Sequence, residues 1–180
     1  MEEERAAGFE RLATGRLELR AVGPGDLDGL FALTSDPGTW RHAPAERHTG
    51  PAQTRAWIGA AEAAWRADGL GYWTVRHRGG GEVIGVGGVQ HFPGKGWNLY
   101  YRFTPSAWGR GYATELARAA VRAGNAVRPE APVVAWILEH NHASRRVVER
   151  IGFTRCGERV DESTGALRLL YADRAPGRAR

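Results

Sequence analysis

The stretch Trp108-Gly-Arg-Gly-Tyr-Ala-Thr-Glu115 places two glycines around one arginine, immediately before a run of apolar residues at helical spacing. A strand-like segment, residues 98–103, precedes it. The first turn of a helix leaves backbone N–H groups without partners and carries partial positive charge. Glycines let a ligand approach the backbone closely, and Arg110 adds a fixed charge. This arrangement is typical of a site for a phosphate or pyrophosphate group.

The loop does not match the two best-known nucleotide-binding patterns. The sequence GxGxxG would need a third glycine, and a Walker loop would need a GK[ST] triplet, which this stretch lacks. Taken alone, the loop therefore leaves a purely structural turn before a helix as an open alternative.

The apolar pattern around the loop predicts a mixed α/β domain. Alternating or continuous apolar runs predict strands at residues 17–22, 72–77, 83–90, 98–103, 133–138 and 168–173. Helical spacing predicts helices near residues 24–34, 51–68, 111–124 and 142–151. Three successive glycines, residues 79–81, predict an antiparallel hairpin. The strand–helix–strand unit around the loop predicts a parallel pair through a right-handed crossover.

Length and composition favour one domain in a reducing compartment. The 180 residues suit a single domain, which we expect to have its core at residues 16–172 and frayed ends. The acidic start lacks the apolar stretch of a signal peptide, and no apolar run approaches the roughly 20 residues that span a membrane. A single cysteine, Cys156, excludes an intramolecular disulfide, and we expect it to be a small buried hydrophobe. We therefore expect a cytoplasmic protein.

The charge pattern argues against a dedicated nucleic-acid-binding protein. The net charge of +5 comes from arginines spread along the chain, several of them in the C-terminal tail, residues 173–180. Six histidines are scattered without the spacing of metal ligands, so we expect no metal.

A second motif follows the next predicted strand. Asn141-His-Ala-Ser144 stands at the start of a helix, where the asparagine caps and the serine falls in the first turn. A cap with a satisfied hydroxyl is the alternative that involves no function.

Together the two stretches resemble the signature of the GNAT superfamily of acyl-CoA-dependent N-acetyltransferases. That signature pairs an (Arg/Gln)-x-x-Gly-x-(Gly/Ala) loop with Asn-x-x-Ser before a helix that ends in Gly-Phe. This chain has Trp108-Gly-Arg-Gly-Tyr-Ala113, then Asn141, Ser144, Gly152 and Phe153. The branch that it most resembles is the ribosomal-protein-alanine N-acetyltransferase (RimJ/RimL-like) group, over residues 16–171. The resemblance implies a mainly antiparallel sheet with a splayed parallel pair, flanked by helices.

The resemblance also implies which residues hold acetyl-CoA. The loop residues on the pyrophosphate side are Trp108, Gly109, Arg110, Gly111, Tyr112, Ala113 and Thr114. The strand residues beside the pantetheine arm are Tyr101, Arg102, Phe103 and Thr104. Asn141 would bond the pantetheine, and Arg146 would reach the adenosine end unless it belongs to a solvated helix face.

Direct transfer to a primary amine needs a base, a donor for the oxyanion and a proton for the leaving thiolate. The resemblance assigns the thiolate to Ser144, and a backbone N–H of residues 101–103 suits the oxyanion. The base stays open, because Asn98 stands where many relatives carry glutamate, and Glu139 and His91 are the candidates. The resemblance implies that the acceptor is a protein N-terminus or a small-molecule amine. A non-catalytic acyl-CoA-binding domain is the alternative, and the resemblance favours a homodimer.

The tryptophans divide between core and site. Trp57 and Trp65 fall on the apolar face of their predicted helix, which indicates core positions. Loop packing and an acceptor pocket are both open for Trp40, Trp73, His42 and His48.

Overall fold

An eight-stranded sheet forms the centre of the molecule. The structure is a computed structural model that describes residues 8–162 and 164–175. The strand order of the sheet is β1-β2-β3-β4-β5-β6-β8-β7, and every neighbouring pair is antiparallel except β5 and β6. The strands are β1 (Arg11–Ala13), β2 (Leu17–Ala21), β3 (Tyr72–His77), β4 (Gly85–Phe92), β5 (Gly96–Phe103), β6 (Val133–Leu138), β7 (Thr154–Val160) and β8 (Leu167–Ala172). This topology confirms the predicted mixed α/β fold.

Helices cover both faces of the sheet. They are α1 (Leu27–Ser35), α2 (Pro51–Asp68), α3 (Tyr112–Val127) and α4 (His142–Arg150). Residues of α1 and α2 such as Leu30 and Ile58 pack with Val86 on one face, whereas Leu116 of α3 and Val148 of α4 belong to the larger cluster on the other. In the part of the chain that the structure describes, no helix is both long and apolar enough to cross a bilayer.

The parallel strands β5 and β6 stay together only at one end. Their pairing consists of Trp97 with Val133 and Asn98 with Val134, after which the strands diverge. Gly96 permits the close approach at the paired end, because a Cβ there would collide with the carbonyl of Pro132. The splayed parallel pair is thus confirmed, and it leaves a gap beside the second half of β5.

The N-terminal region contains a strand that the sequence did not reveal. Strand β1 pairs with β2, and the Phe9 carbonyl accepts a hydrogen bond from Trp73 Nε1 at 2.7 Å. Residues 8–13 are thus tied to the sheet although they precede the expected core, while residues 1–7 and 176–180, where frayed ends were expected, lie outside the described part. Strand β4 begins at Gly85 and ends at Phe92, two residues later at each end than predicted.

Two side chains differ in burial from their predictions. Cys156 is exposed, contrary to the expectation of a buried hydrophobe, because β7 is the last strand of the sheet and its residues face solvent. Trp65 is buried as predicted, whereas Trp57, one of the two predicted core tryptophans, is only half-buried and stacks on Tyr72.

Candidate active site

The loop before α3 has a backbone that only glycine adopts readily. Gly109 has φ of +74° and Gly111 has φ of +79°, and no atom lies within 4 Å of the position that a Gly109 Cβ would take. Gly111 precedes the helix without a side-chain cap, and the first helical bond runs from Glu115 N to Gly111 O at 3.1 Å. The N–H groups of the first turn therefore have no helical partner, which suits an anionic group.

Contacts from Arg16 of the β1–β2 hairpin, here called the bracket, hold this loop in place. Arg16 Nη1 donates to the Arg110 carbonyl at 2.8 Å, and Arg16 Nε lies 2.8 Å from Glu115 Oε2. Burial opposes ionisation of Glu115, but hydrogen bonds from Thr14 and Arg16 outweigh it and hold the pKa of Glu115 below its ordinary value. Sequence reasoning missed this bracket because Arg16 and Arg110 are 94 positions apart.

Strand β5 presents alternate backbone groups to the gap. Trp97 N donates to Pro132 O on the β6 side, and Thr104 N donates to Ile84 O on the β4 side, each at 2.9 Å. Because successive residues of a strand direct their N–H and C=O groups to opposite sides, Tyr101 and Phe103 face the gap. Strand β6 no longer pairs with β5 there, so a ligand with strand-like hydrogen-bonding groups fits the gap.

The structure places two of the four predicted strand residues elsewhere. The backbone of Arg102 pairs with Val86 of β4, and its guanidinium lies 3.3 Å from the centre of the Trp40 ring. Thr104 directs both its N–H and its hydroxyl to the Ile84 carbonyl. Arg102 and Thr104 are thus not brought to the gap.

The start of α4 forms the opposite wall. Asn141 Oδ1 accepts from Ser144 N at 3.1 Å, which confirms the predicted cap. The Tyr101 hydroxyl donates to the Ser144 carbonyl at 3.0 Å, so it reaches across from β5. Burial raises the pKa of Tyr101, and a hydrogen bond with the Ser144 side chain opposes that rise. The phenol of Tyr101 was missed, although its position two before Phe103 places both side chains on the same face of the sheet, the one that α3 and α4 cover.

The other residues predicted for the site lie on several different elements. Arg146 is exposed on α4. Trp108 is 39% exposed and donates through Nε1 to the Phe103 carbonyl at 2.9 Å. Glu139 is exposed just after β6. His91 Nδ1 lies 3.4 Å from Asp68 Oδ1, at the paired end of β5 and away from Tyr101.

A pocket of about 270 Å³ lies on the α1–α2 face of β5. Its lining residues are Thr34, Trp40, Glu46, His48, Trp57, Tyr72 and Tyr100. The rings of Trp57 and Tyr72 stack at 5.8 Å, and Tyr72 and Tyr100 are 5.3 Å apart. We name it the aromatic pocket. Because Tyr100 directly precedes Tyr101, the pocket and the gap are adjacent along β5.

Of the residues considered for an acceptor pocket, two line it and two do not. Trp40 and His48 line the aromatic pocket. Trp73 is completely buried in the core, and His42 faces His140 with ring centres 5.3 Å apart. Asn98 does not line the pocket but neighbours its Tyr72. Burial raises the pKa of Tyr72, and a hydrogen bond with Asn98 opposes that rise.

Comparison with known proteins agrees with this geometry. The family model described as "Acetyltransferase (GNAT) domain" matches residues 16–154. The protein YkkB of Bacillus subtilis, itself uncharacterized, is 31% identical over 146 residues, covering 79% of this chain and 84% of its own length. An acetyltransferase from Agrobacterium tumefaciens has a similar structure, with a TM-score of 0.75 and 26% identity over 90% of this chain and 92% of its own.

A ribosomal protein acetyltransferase shares the fold. The ribosomal L7/L12 alpha-N-protein acetyltransferase RimL, solved in complex with coenzyme A, has a TM-score of 0.75 over 91% of this chain and 97% of its own. Its identity is 20%, so it shows the fold alone. On the family match, this chain belongs to the GNAT acetyltransferases and is an acyl-CoA-dependent N-acetyltransferase.

Proposed function

We propose that this enzyme transfers an acetyl group from acetyl-CoA directly to a primary amine, with the coenzyme in the gap between β5 and β6. The observation that carries the proposal is the placement of the glycine loop at the end of that gap. The loop offers unpaired N–H groups to a pyrophosphate, and Tyr101 and Phe103 offer strand-like backbone groups to an extended amide-bearing arm.

The residues around the gap fit coenzyme A in chemistry. Open space over Gly109 leaves room for a phosphate, and Gly111, Tyr112, Ala113 and Thr114 supply the N–H groups of the uncapped first turn. The Asn141 side-chain N–H₂ is available for the pantetheine because its Oδ1 caps α4. Arg146 is exposed on that helix and suits the phosphorylated adenosine end.

The chain's own groups meet two of the three chemical needs at the gap. Bound acetyl-CoA supplies the acetyl group as a thioester. The N–H of Tyr101 or Phe103 donates to the carbonyl oxygen as negative charge develops on it. The Tyr101 hydroxyl donates to the carbonyl of Ser144, and we assign the hydroxyls of these two residues to stabilising the departing thiolate and providing its proton.

The acceptor enters from the aromatic pocket. We expect aromatic rings of the lining to contact the acceptor, which as a primary amine is a cation at neutral pH, and Glu46, which pairs with Arg168 at 3.2 Å, adds a carboxylate at the pocket. The sequence resemblance to ribosomal-protein-alanine N-acetyltransferases supports an N-terminal protein amine, and a small-molecule amine is the other acceptor class. A volume of about 270 Å³ suits one residue or a small amine.

Ligand-induced stabilisation tests the coenzyme assignment. A ligand present at 100 times its Kd adds about 2.7 kcal/mol to the free energy of unfolding. We expect acetyl-CoA and CoA, but not ATP, to raise the melting temperature. Release of free thiol is then measured with an alanine-terminated peptide, phenethylamine and spermidine. The absence of any shift with both CoA species would contradict the proposal.

A further inference from the structure

His48 contributes an imidazole to the lining of the aromatic pocket, and its Nδ1 faces a buried threonine. Its Nδ1 lies 2.8 Å from Thr54 Oγ1, which lies 3.2 Å from Thr34 Oγ1. Thr34 Oγ1 in turn lies 2.8 Å from the Leu30 carbonyl of α1. Both threonines are buried, so protein groups rather than water satisfy these hydroxyls.

This chain of hydrogen bonds has only one consistent direction. A carbonyl oxygen accepts and never donates, so the Thr34 hydroxyl gives its proton to Leu30. Thr54 must then donate to Thr34, and its oxygen is left to accept from His48 Nδ1–H. In the neutral imidazole, the second nitrogen, Nε2, therefore carries a lone pair.

The groups around His48 favour its neutral form. Burial lowers the pKa of His48, and the Arg102 guanidinium lowers it further. Arg102 is held by the Tyr100 hydroxyl at 2.8 Å and by the Trp40 ring. The other ionisable groups facing the pocket are Glu46 from the same loop, which lies 3.2 Å from Arg168 Nη2, and the phenols of Tyr72 and Tyr100.

We propose that His48 is the general base of the transfer, and that its Nε2 accepts a proton from the acceptor ammonium in the aromatic pocket. The assignment rests on the proposed function, because it names the base of that same reaction. No carboxylate is needed at Asn98, and the exposed Glu139 does not line the pocket. Thr54 and Thr34 act as positioning residues that hold the imidazole in the basic tautomer.

The proton balance of the step is complete. The ammonium gives one proton to Nε2, and the resulting amine nitrogen forms the C–N bond as the C–S bond breaks. The second proton of the nitrogen ends on the CoA sulfur through the hydroxyls beside the gap. The imidazolium then returns its proton to solvent, so the products are the acetamide, CoA thiol and one released proton.

The decisive variant is His48→Asn, because the asparagine amide retains a donor toward Thr54 and lacks Nε2. We expect kcat/KM at pH 7 to fall by about 10²- to 10⁴-fold, with CoA affinity unchanged. The loss should shrink as the pH approaches the pKa of the amine, because solution then supplies the free amine. A loss that is independent of pH would contradict the proposal, since it would indicate a structural role.

A matched control is His42→Asn in the same loop. Burial also lowers the pKa of His42, but it does not line the pocket, so we expect less than a twofold change. Protonation of the base should make kcat/KM of the unaltered enzyme fall at low pH, and Glu139→Gln should keep this fall. If Glu139→Gln abolishes the fall at low pH and His48→Asn keeps it, the assignment is wrong.

The tautomer is measured without any acceptor. Nitrogen NMR of the labelled full chain with CoA should show His48 protonated at Nδ1, and Thr54→Val should relax that preference. A proton on Nε2 in the neutral form would overturn the proposal. Failure of the proposed function is distinguishable, because it appears as lack of CoA binding by the unaltered enzyme.

Discussion

The two sides of β5 are built on different principles. On the gap side, one nearly continuous stretch, residues 101–114, supplies mainly backbone groups. On the pocket side, α1, the following loop, α2, β3 and β5 each contribute side chains. A backbone site tolerates most side-chain changes and depends on the glycines. A side-chain site changes with each residue, so the proposed coenzyme site should tolerate more substitutions than the proposed acceptor site.

The largest effect on coenzyme binding is expected at a glycine of the loop. Gly111→Ala places a Cβ at φ of +79°, which costs roughly 1–2 kcal/mol and displaces the N–H groups of the first turn. We expect CoA to bind about tenfold more weakly, measured by titration calorimetry. The control is Gly165→Ala in the distant β7–β8 turn, where φ is +69°. Equal weakening in both variants would show that general strain, and not the loop, is responsible.

A pocket variant should affect the acceptor alone. Trp57→Leu removes the ring that stacks on Tyr72, and apolar and cation–π contacts of this kind contribute about 0.5–2 kcal/mol. We expect the acceptor KM to rise by roughly 2- to 30-fold while the Kd of CoA stays the same. A matching loss of CoA affinity would mean that the two sides of β5 are not separable.

Loss of the hydroxyl of Tyr101 or of Ser144 should lower turnover. Tyr101→Phe removes the donor of the hydrogen bond to the Ser144 carbonyl, whereas Ser144→Ala removes the Ser144 hydroxyl and keeps that carbonyl. We expect kcat to fall about tenfold in each, and the double variant to lose less than the product of both because the groups act together. Multiplicative losses, or an unchanged kcat, would contradict a shared role at the thiolate.

The smallest effect concerns the bracket that holds the loop. Because the pKa of Glu115 is lowered in the folded state, its contribution to stability is present above its ordinary value of 4.5. That contribution is lost as the pH falls through the lower folded pKa. We therefore expect Glu115→Gln to be less stable than the unaltered chain at neutral pH, and the difference in melting temperature to shrink toward pH 3. Parallel curves from pH 7 to pH 3 would show that the charge contributes nothing.

The difference between the two sides also explains what the sequence revealed. The glycines at residues 109 and 111 and the cap at Asn141 were predictable, because turn geometry and capping depend on local chemistry. The direction of the β5 backbone groups was not predictable, because it depends on where β6 diverges from β5. Nor was the chain from His48 through Thr54 to Thr34, since it joins a loop and two helices.

The same reasoning accounts for the misplaced residues. Arg102 lies inside the predicted pantetheine strand, yet alternation along β5 turns it toward β4 and Trp40. Cys156 was expected to be buried because it follows Gly152 and Phe153 in a strand and cysteine behaves as a small hydrophobe, but burial depends on the position of β7 in the sheet order. Long-range pairing therefore decides what local pattern leaves open.

Amide NMR mapping of CoA binding tests the separation of the two sides most directly. We predict that CoA shifts the backbone amides of Gly111, Tyr112, Tyr101 and Phe103, while that of Arg102, which pairs with β4, moves least among its neighbours in β5. Phenethylamine should instead shift signals of the aromatic pocket, including the His48 ring. Shifts from CoA confined to the aromatic pocket, or equal shifts along the whole of β5, would contradict the account.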